Sequence, residues 1–348
     1  MDIKQLYARA RREGTPLIDG KTATFLWKGR HAPSLMGDWT DWDAAKLIEL
    51  DKLGSGLWGY STTFPRDAYL EYAFISKNKR RIDPCNATHV DNGVGRFNQF
   101  FYMPDAAPAA LTRRTASVSG GKVTSLIMEG EGLVARNRRT VYFYQPPVQY
   151  PVPLLVVFDG ADYLRRGHLT TIVDNLIAEG RIQPIALAMI HHGGPMRFVE
   201  YACNESVIAM LVTALLPLAR ATLNLVDLDA APGSYGIMGA SLGGLIALYA
   251  ALRLPQAFGR VLCQSGAFSM ESYDAVVYDL VRDGPRRPLH IWMDCGRFEG
   301  LVETNRRMHR LLQEKEYAVT YHEQETGHNF TAWRNDVGNG LETLFGAV

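Results

Sequence analysis

The sequence predicts an α/β protein, a mostly parallel central sheet with helices on both faces, preceded by a small all-β sandwich. Three observations predict it. Short runs rich in aromatic and β-branched residues, separated by turn signals, fill the first hundred residues. A stretch rich in Ala, Ser, Thr and Gly with no periodic apolar face, AAPAALTRRTASVSGG, follows them. After it, continuous apolar runs alternate with helix-length segments, the pattern of a parallel sheet covered on both sides.

In the first part, TATFLWKG, GLWGYSTTF and AYLEYAFIS read as strands, with turn signals at Gly37-Asp38, Pro65-Arg66-Asp67 and Lys77-Asn78-Lys79. Residues 83–95 read as a long loop, and NQFFYMP closes the sandwich as a last strand. The expected organisation is a sandwich over 1–105, a linker over 106–121 and a catalytic domain over 122–348. In that domain KVTSLIMEG and RRTVYFYQPP come first. LLVVFDG, IALAMI, YGIMGA, VLCQSG, LHIWMDCG and AVTYHEQ then alternate with helices, including a long one from about Asn204 to Leu223 and a last one near FTAWRNDVGNGLETLF.

Composition sets outer limits. Lys+Arg 37 against Asp+Glu 36 leaves a net charge of +1, which asks for neither nucleic acid nor an anionic membrane as partner. The four cysteines match no CxxC or zinc spacing, and the N-terminus carries no apolar leader. No uninterrupted apolar stretch reaches the length of a membrane span. A cytoplasmic protein is expected, needing no cofactor and no metal. His191-His192 lacks a third ligand at any usual spacing and reads as rim or structural. Oligomeric state is left open, a homo-oligomer included.

The chemistry centres on Gly239-Ala240-Ser241-Leu242-Gly243. The pattern G-x-S-x-G alone is weak, but here an apolar strand runs into it and a good helical sequence leaves it. That is the context of a nucleophile elbow in the α/β-hydrolase fold, against the plainer reading of a helix-capping serine. A serine needs a base, and in this fold the partners follow in the order Ser, Asp/Glu, His. Of the histidines after Ser241, His290 begins a strand, His309 sits in a helix, and His328 lies in a loop after the last strand. His328 is the expected base. LHIWMDCGRFEG offers Glu299 or Asp294 as the acid, and position favours Glu299 because its loop follows the strand end. Leu242 is the expected first oxyanion donor, with Gly160 or Ala161 as the second. Asp159, Arg197, Tyr201 and Arg297 are expected to contact substrate, and Arg197, Glu200, Tyr201 and Asn204 to form a network beside the site.

These residues resemble a family. VVFDG, RFVEYACNE, GIMGASLGGLIALYAALRLPQAFG, QSGAF, CGRFEGLVETNRRMHRLL and ETGHNFTAWRNDV are similar to the enterochelin-esterase-type branch of the putative-esterase α/β-hydrolases. That family also holds feruloyl esterases and the S-formylglutathione hydrolase type. FLWKG, GDWTDW, LWGYSTTFP, YAFIS and DPCNA resemble the early-set, immunoglobulin-like sandwich that precedes the catalytic domain of iron-siderophore esterases. The resemblance implies Ser241 as nucleophile, His328 as base and Glu299 as acid. One departure is Thr326, where the family commonly has the first of two glycines before the histidine.

The expected function is a serine esterase acting through an acyl-enzyme on a small-molecule ester, a siderophore lactone or an aryl or short-chain ester. The alternatives are an acyltransferase using the same acyl-enzyme, and a glycan- or aromatic-binding protein presenting Trp39, Trp42 and Trp58 beside a vestigial hydrolase. A catecholate iron complex is anionic, so that substrate predicts cations at the pocket, with Arg197, Arg297 and Arg334 as candidates.

Overall fold

The structure is a computed structural model that describes residues 3–347 except Ser55, Val94, Glu131, Arg136, Glu271 and Ser272. The chain forms two compact units. Unit one holds Met1–Pro108 together with Gly296–Gly300 and Glu323–Ala332, and unit two holds the remainder. The sequence placed everything after residue 121 in one domain. By packing, the segments around Glu299 and His328 group instead with the sandwich.

Among the described residues, the sandwich of unit one is built from β1 (Leu17–Asp19), β2 (Thr22–Lys28), β3 (Ser34–Gly37), β4 (Ile48–Glu49), β5 (Asp51–Gly54), β6 (Leu57–Thr63), β7 (Tyr69–Ser76), β8 (Lys79–Arg81), β9 (His89–Asp91) and β10 (Phe97–Tyr102). They make two antiparallel sheets, β1-β2-β6-β5 and β4-β3-β7-β10-β9, with β8 paired to β7. Ala23 and Phe25 from the first sheet share one core with Leu35, Leu70, Tyr72, Phe74 and Phe101 from the second. Burial of these aromatics on alternate strand positions is what makes the pair a sandwich. Leu26 faces the other way and packs with Leu17 against Ala10 and Leu6 of an amphipathic helix, Ile3–Glu13, that the sequence reading did not anticipate. The expected loop over 83–95 contains β9, paired to β10, and Val94 lies outside the described residues. Its start is pinned because the buried Asp83 carboxylate accepts from Thr15 Oγ1, Tyr72 OH and the Cys85 amide.

Unit two is built on an eight-stranded sheet. Its strands are β11 (Lys122–Glu129), β12 (Arg138–Gln145), β13 (Leu154–Val157), β14 (Ala186–Ile190), β15 (Tyr235–Ala240) and β16 (Phe258–Gln264), then β19 (His290–Gly296) and β20 (Ala318–Gln324) after a short hairpin of β17 (Ser269–Met270) and β18 (Tyr273–Asp274). The order is β11-β12-β14-β13-β15-β16-β19-β20, parallel from β14 to β19, with β11 and β12 antiparallel at one edge. Every residue of β13, β14 and β15 is buried, as strands covered on both faces require. The chain moves from β13 to β14 on one side and to β15 on the other. Such a reversal opens a crevice at the carboxyl ends of the two central strands.

One expectation needs correction. The segment expected as a loosely packed linker is bound: Asn175 Nδ2 donates to the carbonyls of Leu111 and Arg113 at 2.8 and 2.9 Å, and Asp174 accepts from the Gly121 amide. The unit boundary accordingly falls at Pro108. The long helix expected from about Asn204 to Leu223 runs over 205–222; polar residues interrupt its apolar run, yet by length and composition, with a mean hydropathy of 1.4, it is apolar enough to cross a membrane. Its apolar character serves the core, because Val207, Ile208, Leu211, Leu215, Leu216 and Ala219 pack in the main cluster of unit two. A π-helical turn at Leu211–Leu215, ahead of Pro217, interrupts the regular ladder.

Candidate active site

β15 delivers Ser241 into the helix Leu242–Arg253 through a turn tighter than most side chains allow. Ser241 has φ 59° and ψ −123°, a strained conformation for a residue with a Cβ. Two glycines make room for it. A Cβ on Gly239 would lie 2.5 Å from the Gly243 carbonyl carbon, and one on Gly243 would lie 3.1 Å from Asp159 Oδ2. Hydrogen bonds hold the strained residue from both sides. Its amide donates to Gln264 O at 2.8 Å, and its carbonyl accepts from Gly244, Leu245 and Ala267 at 3.0, 3.2 and 3.0 Å. Leu242 opens the helix, so its N–H has no intrahelical acceptor, which suits the expected oxyanion donor.

The neighbouring turn after β13 carries Asp159 in the left-handed region, φ 54°. Gly160 packs so tightly that a Cβ would meet the Met189 carbonyl carbon at 2.2 Å. Gly160 and Ala161 begin the helix Gly160–Arg165, and their amides are likewise first-turn donors. Asp159 itself is buried and receives a bidentate bond from Arg197, Nε to Oδ1 at 2.8 Å and Nη2 to Oδ2 at 2.6 Å. Burial opposes the charge on Arg197, but the bonds to Asp159 outweigh it and raise the guanidinium pKa. Tyr201 lies under the guanidinium, 4.9 Å from ring centre to Arg197 Cζ, with its hydroxyl 3.4 Å from the Asp159 amide nitrogen that donates to it.

In unit one, His328 Nδ1 donates to Glu299 Oε2 in a short bond. An ionised carboxylate only accepts, so the proton of this bond sits on Nδ1. The Glu299 carboxyl is almost wholly buried, while the His328 ring stays about one-third exposed at 32%. Glu299 Oε1 also accepts from the Gly296 amide at 2.6 Å, which fixes the carboxylate plane. Asp294, the other candidate acid, lies at the end of β19. It is fully buried in unit two, where its Oδ2 accepts from Gln264 Nε2 at 2.8 Å and from Trp292 Nε1 at 3.3 Å. Gln264 also takes the Tyr163 hydroxyl and donates to Trp333 O, so Asp294 braces the strand ends around the serine turn. Of the two acids the sequence offered, Glu299 is the one that shares unit one with His328 and bonds its imidazole.

A family model described as putative esterase matches residues 134–344. The chain belongs to the putative esterase family. It is a carboxylic ester hydrolase, and the resemblance to the enterochelin esterase-like branch holds. Iron(III) enterobactin esterase of Dickeya dadantii is 26% identical over 402 aligned residues, covering 96% of this chain and 91% of that protein. Iron(III) salmochelin esterase of Escherichia coli is 26% identical over 76% of this chain and 68% of its own length. The crystal structure of ferric enterobactin esterase from Salmonella typhimurium superposes with a TM-score of 0.78 at 21% identity, covering 94% of this chain and 95% of that one, which shows a shared fold.

Several residues expected to touch substrate are bonded to one another or to neighbouring carboxylates. Asp159 and Arg197 neutralise each other, and Tyr201 is buried beneath them, so the three build the wall of the serine turn. Arg297 pairs with Glu323 at 3.0 Å and Glu325 at 2.8 Å. The expected network divides in three: Glu200 pairs with the buried Arg139, Asn204 caps the next helix through the Ser206 amide, and Arg197 goes to Asp159. His192 Nδ1 accepts from the Gly194 amide and His191 Nδ1 bonds His192 O, so the histidine pair is structural; burial lowers the His192 pKa and favours the neutral ring. The tryptophans form no open platform. Trp39 packs on Phe25, Phe64 and Phe101, the Trp58 indole donates to Gly29 O, and Trp42 donates to Asp38 under the Arg80 guanidinium. Sequence reasoning missed Gln264 and Asp38, neither of which sits in a motif that names its partners.

Proposed function

We propose that this esterase works through an acyl-enzyme on Ser241, with His328 as general base and Glu299 as the acid that orients it. The observation that carries the reading is the strained Ser241 backbone between β15 and a helix N-terminus, paid for by glycines and four hydrogen bonds. Ser241 Oγ attacks the ester carbonyl while His328 Nε2 takes the hydroxyl proton. The oxyanion is met by the Leu242 amide and by that of Gly160 or Ala161. The tetrahedral adduct expels the alcohol, which leaves with the proton from His328. Water, deprotonated by the same imidazole, then releases the acid and restores Ser241. Ser241→Ala is expected to lower kcat on p-nitrophenyl acetate by about 10⁵–10⁶-fold. Retention of wild-type turnover in that variant overturns the mechanism.

For the substrate we propose a catechol-bearing siderophore lactone, on the strength of relatives named for iron(III) enterobactin and iron(III) salmochelin. The charge pattern refines this. Two of the three candidate arginines, Arg197 and Arg297, are matched by carboxylates of the same chain. An iron complex of three catecholates carries several negative charges, whereas the iron-free ligand is close to neutral. The iron-free trilactone is therefore the expected better substrate, read as kcat/KM by chromatography of the released hydroxy-acid esters. Faster hydrolysis of the iron complex reverses the charge argument. An enzyme that cleaves p-nitrophenyl esters but leaves both trilactones intact loses the siderophore reading altogether.

A further inference from the structure

We infer that Asp38 of the sandwich is the positioning residue for the loop that carries the base, an inference that rests on His328 having that role. Asp38 follows β3, at the start of a short 3-10 turn, and is 1% exposed. Its carboxylate accepts from the Glu71 amide at 2.8 Å and from Trp42 Nε1 at 2.8 Å, which lock it in the sandwich. It then reaches the base loop, all within unit one. Asn329, the residue after His328, donates Nδ2 to Asp38 Oδ2 at 3.3 Å, and its own Oδ1 accepts the Ala332 amide at 2.9 Å at the start of the last helix. Gly327, the residue before His328, lies so close that a Cβ there would come 2.1 Å from Asp38 Cγ. The loop is seated on the carboxyl group at both neighbours of the imidazole-bearing residue, by backbone at Gly327 and by side chain at Asn329.

Other sandwich residues reinforce the seat. The Tyr69 amide donates to Glu325 O at 3.1 Å. Phe64 packs on the ring of Phe298, whose amide donates to Thr326 O at 3.0 Å. Glu299 follows Phe298 directly, so acid and base loops are both held against the sandwich. Thr326, the departure from the family's paired glycines, is buried in this clamp, with its carbonyl 2.4 Å from where a Gly296 Cβ would stand. General-base catalysis depends on placement, and a shift of about 1 Å costs about 10²-fold in rate. Asp38 touches no reacting atom. It acts by holding His328 and Glu299 where they can serve the serine.

The test is a set of variants of the full chain, assayed on p-nitrophenyl acetate with melting temperature read in parallel. Gly327→Ala is expected to lower kcat about 100-fold with KM unchanged, because the added methyl displaces the loop from the carboxyl. Asp38→Ala is expected to lower kcat about tenfold, and Asp38→Asn, which keeps shape and one acceptor, to restore it to within about threefold of wild type. In Asp38→Gly/Gly327→Ala the obstructing carboxyl is gone, so the double variant is expected to be no slower than Asp38→Gly alone. Wild-type kcat in both Gly327→Ala and Asp38→Ala overturns the inference, as does a double variant whose losses simply multiply. His328→Ala separates the two levels. Full activity there removes the base assignment itself, whereas an inactive His328→Ala beside wild-type Gly327→Ala removes only the role of Asp38.

Discussion

The serine turn and the histidine loop are held by different physics. The serine turn is a matter of sterics over five residues: glycines at 239 and 243 admit a backbone that no other residue would leave room for, and nearby amides bond to it. The histidine loop has no such local logic. Its neighbours 327 and 329 rest on Asp38, nearly 290 residues earlier in the chain, and its acid is fixed by the Gly296 amide. A nucleophile that must be strained is best made locally, where sequence neighbours cannot drift apart. A base that must be aimed is held by contacts remote in sequence, and these are the ones a single substitution can loosen without unfolding the strand beneath.

The largest expected effect tests the two acids against each other. Glu299→Gln keeps the shape but removes the charge that stabilises the imidazolium, and kcat/KM is expected to fall about 10³–10⁴-fold with little change in melting temperature. Asp294→Asn should do the reverse. It disturbs the bonds to Gln264 and Trp292 and costs about 1–3 kcal/mol of stability, while the folded enzyme keeps activity within about tenfold. If Asp294→Asn is the inactive variant and Glu299→Gln the active one, the assignment of the acid is inverted.

A smaller effect is expected at the turn itself. Gly239→Ala places a methyl against backbone, not against a side chain that could rotate aside. Overpacking of this kind costs about 1–3 kcal/mol, and the strain should appear both as a lower melting temperature and as slower acylation by a fluorophosphonate. Loss of labelling rate with unchanged stability, or neither effect, would contradict a sterically built turn.

This difference explains what was legible. The elbow could be read because the strand YGIMGA, the glycines and the helix sit together in the sequence. The His328–Glu299 contact could be anticipated because chain order and a loop position singled out His328, and Glu299 follows the strand end. The partners of the residues expected at the substrate could not. Asp159 and Arg197 both lie in plausible loops, and only the fold reveals that they satisfy each other at 2.6 and 2.8 Å. Asp38 lay in plain view in GDWTDW, but no spacing rule connects it to Gly327. The helix Ile3–Glu13 escaped because it was read only as a possible leader, although Leu6 and Ala10 sit one helical turn apart and pack on one cluster.

The smallest expected effect concerns the two elements that flank the base loop, β20 and the helix Phe330–Phe345. His322 on β20 bonds Asp336 Oδ2 through Nδ1 at 2.9 Å, and both residues belong to unit two. The bond to Asp336 raises the His322 pKa, burial opposing it. A histidine raised on folding contributes stability that is fully present below its unfolded value of about 6.5 and is lost as pH climbs through the folded value. Because the imidazole is 47% exposed, solvent screens the pair and the contribution is small. The melting-temperature difference between wild type and His322→Gln should therefore be largest near pH 5.5 and shrink steadily towards pH 9. Over the same range the ratio of their kcat values should stay constant, because the loop between these elements is seated by Asp38 and not by the flanking pair. A stability gap that does not vary with pH would remove the ionic contribution of His322. A kcat ratio that tracks that gap would show that the flanks, and not the sandwich, aim the base.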